Sequence, residues 1–461
     1  MELAEPQTIQ NQPIPALKKR WLVGNTLEFA KDPLGFLLNL QRNYDRIVKF
    51  SLPFGDVYSI FEPDDIKHIL QENNRNYVKS RAYKVLEIFL GQGLLTSEGD
   101  FWRRQRRLAQ PAFHKQRLAS MVDTMTHETV KMLERWEKHN SSKPMDISEE
   151  MMQVTLMIVT KALFGANIKH LVGNISAELT QMNEFGNNRL KSLFQFPLSW
   201  PLPSHLKFKK SVAKIEGIIY EIINTRRQAL AKNPNAQFDD LMQMLLTAED
   251  EDTGERMNDK QLRDEITTIF MAGHETTANA MSWACYLLAQ HPDTAQRIRE
   301  EAISVLGENG LPTIEDLKEL RYTMQVVQET MRLYPPAYVF SRRALNEDHL
   351  GDYIIPKGVT VLMSPYLLHR NPAYWEHPNV FNPDNFLPEQ IKKRHSYAYL
   401  PFGGGPRLCI GNNFALMEMQ LMLALIARQF DFKLTARGTV EPEPLITLRP
   451  KNGLKMRLAR A

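Results

Sequence analysis

The loop Phe402-Gly403-Gly404-Gly405-Pro406-Arg407-Leu408-Cys409-Ile410-Gly411 constrains this chain more than any other stretch. It sets one cysteine in a glycine-rich, arginine-bearing loop that runs into a helical pattern from about Asn412. A single thiolate does not make a structural zinc site, which takes four ligands. It does suffice as the lone axial ligand of a haem iron. Glycines let backbone pass close to a flat macrocycle where a Cβ would collide. The first amides of the following helix stabilise a thiolate, and Arg407 offers fixed charge to a carboxylate. Taken singly, a lone cysteine is a small buried hydrophobe and a Gly-Gly-Gly-Pro run is a loop. The fixed spacing of the whole set argues against both.

At 461 residues the chain would ordinarily make about three domains, but one large cofactor organises one large core. No linker divides the pattern, so the expectation is a single domain over 1–461, with 1–20 an extended N-terminal segment. Composition, 43% hydrophobic and 24% charged, is that of a water-soluble globular protein. A net charge of +4 is too small to indicate nucleic acid. With Cys409 a metal ligand, Cys285, the other cysteine, has no disulfide partner, which points to a reducing compartment. Met1 to Pro15 is polar and proline-punctuated, with neither a signal-peptide core nor a membrane span.

Residues 46–61 read as two strands about a Pro/Gly turn. Helical periodicity dominates to about residue 335. Asn258 with Gln261 forms a capping-box pattern opening a helix to about Gln290, ahead of His291-Pro292. A further helix is expected after Thr313-Ile-Glu-Asp316, ending at Pro335-Pro336. Short strands fill 337–365, a proline-rich meander 371–388, and strands follow the last helix beyond Phe430. The fold class is mostly α with small β-sheets.

The long helix carries Ala272-Gly273-His274-Glu275-Thr276-Thr277. Gly273 costs about 1 kcal/mol against alanine in mid-helix, so it has a reason: close approach of a ligand or local widening. Ala272, Thr276 and Ala280 share one small-residue face. A hydroxyl beside a carboxylate delivers protons without flooding a site. His274-Glu275 does not open a zinc-protease motif, because Ala278 stands where the second histidine would. The competing reading is a threonine-rich helix bonded to its own carbonyls; it suits Thr277, whereas Thr276 is read as functional.

Further along, Glu329 and Arg332 share a helix face. They precede Leu333-Tyr334-Pro335-Pro336 and the meander His369-Arg370-Asn371-Pro372, Trp375, Pro378 and Phe381-Asn382-Pro383-Asp384-Asn385-Phe386. Trp102 and Arg106 are four apart in Trp102-Arg103-Arg104-Gln105-Arg106.

Together these stretches resemble the cytochromes P450, over nearly the whole chain from about residue 20. The cysteine loop matches at Phe402, Gly405, Arg407, Cys409, Gly411 and Ala415. The resemblance implies a single-domain P450-like fold around haem b, its iron ligated by Cys409. Trp102, Arg106, Arg342 and Arg407 are implied to hold propionates, with Phe402 and Ala272 against the macrocycle. Thr276 and Glu275 are the implied acid–alcohol pair, and Glu329 and Arg332 a buried structural pair bonded to the meander. Asn385 stands where many members have arginine, so the third leg of that network is uncharged and weaker or rearranged. By position, Leu95, Ala272, Thr276, Ala337, Val339 and Ile446 line the distal pocket, which predicts an apolar substrate. Phe185, Phe194, Phe196 and Trp200 give the lid region aromatic content suited to a greasy entrance or to ordinary packing.

The nearest likeness is to fatty-acid hydroxylases, through Phe386-Leu387-Pro388-Glu389 and Tyr397-Ala398-Tyr399-Leu400-Pro401-Phe402. Ala272 replaces the glutamate that esterifies haem in many ω-hydroxylases, so no covalent link is expected. Leu52 to Tyr58 lacks the arginine that anchors fatty carboxylates in the reductase-fused branch. The expected protein is a cytoplasmic, monomeric monooxygenase that uses O2 and oxidises a fatty acid, terpenoid, steroid or similar molecule. With no membrane anchor and no reductase after Ala461, NAD(P)H acts only through a separate ferredoxin or flavodoxin and its reductase. Arg103, Arg104 and Arg107, with Lys392-Lys393-Arg394, read equally as a docking patch for that donor or as a solvated basic face. A peroxide-using or isomerising enzyme is the alternative, disfavoured by the retained acid–alcohol pair. A haem carrier or gas sensor gains nothing from a proton relay.

Overall fold

The computed structural model describes residues 12–18, 23–53, 55–165, 175–192, 195–234, 236, 238, 240–435 and 440–461. Its strands are β1 (Ile47–Leu52), β2 (Gly55–Ile60), β3 (Tyr77–Lys79), β4 (Met145–Asp146), β5 (Phe340–Ala344), β6 (Asp348–Leu350), β7 (Tyr353–Ile355), β8 (Thr360–Met363), β9 (Phe430–Leu434), β10 (Pro442–Pro444), β11 (Leu448–Pro450) and β12 (Lys455–Arg460). The helices that matter below are α1 (Gly99–Ala109), α2 (Ile147–Phe164), α3 (Ile175–Lys191), α4 (Pro203–Lys232), α5 (Asp259–Gln290), α6 (Pro292–Leu306), α7 (Arg321–Leu333) and α8 (Asn412–Gln429). The class is mostly α with small sheets, as expected. Among the described residues no helix is long and apolar enough to cross a membrane.

Two compact units share the chain: Met1–Tyr83, Val339–Pro378 and Arg394–Leu408 form one, and Lys84–Tyr338, Asn379–Lys393 and Cys409–Ala461 the other. The first holds a five-stranded sheet in the order β1-β2-β8-β5-β3. The expected hairpin is present, Ile47 facing Ile60 and Leu52 facing Gly55. β8 runs parallel to β2 and antiparallel to β5. Ile47, Ile60, Val361 and Met363 bury one apolar cluster with Tyr58 and Tyr397. Within this unit Gly405 has φ +64°, and a Cβ there would stand 1.9 Å from the Leu70 carbonyl oxygen. Gly405 therefore answers to packing inside the protein as well as to the loop's turn.

The second unit is built on α5. Asn258 accepts from the Gln261 amide (2.9 Å) and the Gln261 side chain accepts from the Asn258 amide (2.8 Å), completing the capping box. The helix is about 48 Å long at 1.5 Å per residue. Gly273 packs against α2, where an added Cβ would meet Val159 Cγ2 at 3.1 Å. Helix contact is one reason for it; the helix is ordinary α there, so the expected widening is absent.

One boundary differs from expectation. Thr313 bonds back to Asp316 through its amide and hydroxyl, both at 2.8 Å, closing a turn with only a short 3₁₀ segment after it. α7 starts at Arg321, where Glu301 of α6 accepts the Tyr322 and Thr323 amides at 2.6 and 2.8 Å. The cap comes from a neighbouring helix, which local sequence does not reveal.

Candidate active site and family

The sulfur end of Cys409 is set deep in the protein yet its surface is open. Burial raises the thiol's pKa, while the Gly411 amide and the charge of Arg106 on α1 lower it. A cation bound to the sulfur would favour its thiolate further. Arg106 is held below its usual value by burial and raised in turn by Cys409, so the structure brings these two predicted residues together. Trp102, one turn before Arg106, is buried on the same helix.

On α5 the residues from Leu262 to Phe270 and from Thr277 to Leu288 are buried all round. Between them Ala272 is exposed and Gly273, Glu275 and Thr276 are half-buried. A central helix opened on one face in mid-length leaves room for something larger than water. The Thr276 hydroxyl donates to the Ala272 carbonyl at 2.6 Å. The self-bonding expected of Thr277 thus belongs to Thr276. Thr277 instead faces Glu418 of α8, a buried carboxyl pushed well above the usual range. Sequence reasoning missed Glu418, because an acid between Met417 and Met419 reads as one polar position on a helix.

Glu275 is raised by burial and eased by Thr447, Arg449 and Asn183. Thr447 donates to it at 2.7 Å, the Asn183 side chain of α3 donates to its other oxygen, and Asn279 donates to Thr447 at 3.0 Å. His274 is buried, donates from Nε2 to the Met152 carbonyl at 3.1 Å, and has its pKa lowered by burial to about 4. Among the described residues no cluster of metal-ligating side chains forms around it.

Leu95 and Ile446 are half-buried and Ala337 is exposed, so each has free surface where a core residue would have none. Phe185 stacks on Phe208 (4.1 Å between centroids) and Phe196 on the exposed Trp200 (5.3 Å). Phe194 lies outside the described residues. In the first unit Phe402, Arg407 and Val339 are half-buried. Arg342, 7% exposed, lies over the Phe340 ring and donates to the Ser341 carbonyl. No carboxylate among the described residues meets it. A buried guanidinium without an anion is unstable, and a haem propionate is such an anion.

Glu329 and Arg332 are fully buried and doubly bonded, Nε to Oε2 at 2.7 Å and Nη2 to Oε1 at 2.8 Å. Arg332 also donates to the Val380 carbonyl, and the Asn382 amide to Glu329, each at 2.8 Å. Asn385 reaches both Glu329 oxygens at 3.3 Å. The third leg is thus rearranged: uncharged, long, and seconded by backbone.

The arginines of α1 do not form a free basic patch. Arg103 meets Asp100, Arg104 meets Glu255, and Arg107 holds Asp250 (2.6 Å) and Asp252 (2.7 Å). Arg394 lies over the Trp375 ring. Arg103 and Arg107 stay exposed but paired, and Lys392 and Lys393 of the expected docking surface are exposed as well.

In the second unit, a thiol open in a deep setting with amide and guanidinium charge beside it fits a haem ligand. The sequence model described as Cytochrome P450 matches residues 14–456. The chain is 34% identical to cyclooctatin synthase of Streptomyces melanosporofaciens, covering 93% of this chain and 91% of that protein. It is 31% identical to human cytochrome P450 4V2 (98% and 90% covered) and 30% identical to cytokinin hydroxylase of Arabidopsis thaliana (97% and 91%). The chain belongs to the cytochrome P450 family, the haem-thiolate monooxygenases.

Proposed function

We propose that this monooxygenase oxidises an apolar small molecule of the fatty-acid, terpenoid or steroid kind. It acts as one monomeric, cytoplasmic domain fed by a ferredoxin or flavodoxin with its NAD(P)H-dependent reductase. The observation that carries the substrate class is the opened face of α5 at Ala272 and Thr276, with Leu95, Ala337 and Ile446 as apolar surfaces still free. The relatives are named for different products, a synthase and a hydroxylase among them, so membership alone does not choose the substrate.

The bound haem supplies activation of O2 for insertion into substrate. The protein's residues do the rest. Cys409 is the thiolate ligand, and the Gly411 amide and Arg106 steady its charge. Trp102, Arg106, Arg342 and Arg407 would hold the propionates, and Phe402 would pack against the bound group. Ala272 leaves room, and Thr276 hands a proton across that gap. Glu275 is the reservoir, because burial keeps its proton at pH values where a free glutamate has lost it. Glu329 and Arg332 hold α7 to the meander and touch no substrate.

The test is an absorbance titration of the ferric protein with laurate, a terpene alcohol and a steroid. A low-to-high-spin shift with one of them supports the reading and names the class. No shift from any of them, in protein with a thiolate-haem spectrum, overturns the apolar small-molecule assignment.

A further inference from the structure

The loop before α1 is docked on α5 by two consecutive carboxylates that no part of the reaction uses. The Gln92 amide donates to Asp264 Oδ2 at 2.8 Å and the Leu94 amide to Glu265 Oε2 at 3.0 Å. At two glycines the loop's backbone lies too close to the helix for a side chain. A Cβ on Gly91 (φ +64°) would meet the Asp264 carboxylate at 2.2 Å. One on Gly93 would meet Thr268 Oγ1 at 2.1 Å and the Asp264 carbonyl at 2.7 Å. The loop is internally tied as well. Thr96 donates from its hydroxyl to the Gly91 carbonyl at 2.6 Å, and the Ser97 amide donates to the Gly93 carbonyl at 2.9 Å.

The two carboxylates differ in their neighbours. Asp264 is held by Lys260 (3.1 Å) and Arg263 (2.5 Å), and Arg263 is itself paired with Glu216 of α4. Glu265 meets no cation among the described residues: burial and the neighbouring Asp264 push it up to about 8, against the Leu94 amide that favours its charge. Its Oε1 is buried without a partner. Glu265 and Thr268 are three apart, and Thr268, Ala272 and Thr276 follow at intervals of four, so all share one helix face. The loop therefore docks on the same stripe that opens at Ala272, and Leu95 is the residue directly after the docked amide.

We infer that Glu265, with Asp264 and Gly93, is a positioning residue for substrate selection: it fixes the loop that presents Leu95 to the distal pocket. This rests on the reading of Leu95 as pocket wall. A hydrogen bond worth about 1 kcal/mol net sets the scale, roughly a fivefold change in loop opening or in ligand preference.

The experiment uses the holoprotein and two haem-binding probes, imidazole and 4-phenylimidazole, which need no knowledge of the substrate. Hydrogen exchange is followed over residues 91–97. Glu265→Leu removes the acceptor, Glu265→Gln keeps one, and Gly93→Ala pushes the loop off from its own side. Expected are roughly fivefold faster exchange in Glu265→Leu and Gly93→Ala and a comparable change in the ratio of the two azole Kd values. Imidazole binding itself should stay constant, and Glu265→Gln should restore both quantities. Unchanged exchange in Glu265→Leu and Gly93→Ala overturns the docking. Faster exchange with an unchanged Kd ratio, in protein that binds both azoles, overturns the link to selection and removes Leu95 from the pocket. Absence of any azole spectrum would sink the haem-thiolate reading instead, while exchange still decides the docking. If Glu265→Leu does not fold, Gly93→Ala carries the comparison.

Discussion

Removing Arg332 should show how the chain depends on a buried charge pair that never meets substrate. Arg332→Met preserves much of the side-chain volume but deletes two bonds to Glu329 and one to the Val380 carbonyl. The Glu329 carboxylate would then keep the Asn382 amide at 2.8 Å and the long Asn385 contacts at 3.3 Å, with no cation. Breaking one side of such a pair costs about 3–5 kcal/mol, because the other charge stays buried and uncompensated. With an unfolding entropy of about 2.1 cal/mol/K per residue, the 461-residue chain would lose roughly 3–5 °C in Tm if it unfolds as a whole. The assay is guanidinium and thermal unfolding of the holoprotein by far-UV circular dichroism, for Arg332→Met, Glu329→Gln and the double variant. Removing both charges should cost clearly less than the sum of the singles. The deficit of Arg332→Met alone should shrink as pH falls, since an unpaired buried carboxylate gains from taking a proton. Strictly additive costs, or a deficit independent of pH, would refute the argument that the pair's value lies in mutual neutralisation.

Other outcomes follow from the site. Thr276→Ala should divert electrons from product to hydrogen peroxide; unchanged coupling, measured as product per NADPH, would remove Thr276 from proton delivery. Arg342→Leu should speed haem transfer to an apoprotein scavenger, since it deletes the buried cation that lacks a protein anion; equal transfer rates would show that no propionate sits there. His274 has its pKa lowered to about 4 by burial, so the unfolded chain binds the extra proton first and stability falls as pH drops from about 6.5 towards 4. In His274→Gln that part of the acid slope should vanish, and persistence of the full slope in urea titrations would contradict the assignment.

Much of the active centre was legible in the chain because its determinants are local. The capping box at Asn258 and Gln261, the doublet Glu329/Arg332 and the stripe through Ala272 and Thr276 are all pairs three or four residues apart, and helix geometry alone brings such pairs together. The glycine-framed Cys409 loop is likewise written in consecutive residues. Even there tertiary packing adds causes and partners that the sequence does not show. Gly273 serves contact with Val159, and Gly405 the Leu70 carbonyl. The self-bonded hydroxyl is that of Thr276, while Thr277 faces Glu418.

What only the tertiary structure decided are partnerships between distant segments. The arginines of α1 looked like a free basic face until Glu255, Asp250 and Asp252 arrived from about 150 residues away. The start of α7 was set by Glu301 on another helix. Glu265 carries no sequence signal at all, since an acid on a helix reads as solvated. Its meaning comes from the Leu94 amide lying against it and from the burial that raises its pKa to about 8. Periodicity and capping act within a turn or two of backbone, whereas charge neutralisation and desolvation depend on every segment packed around a group.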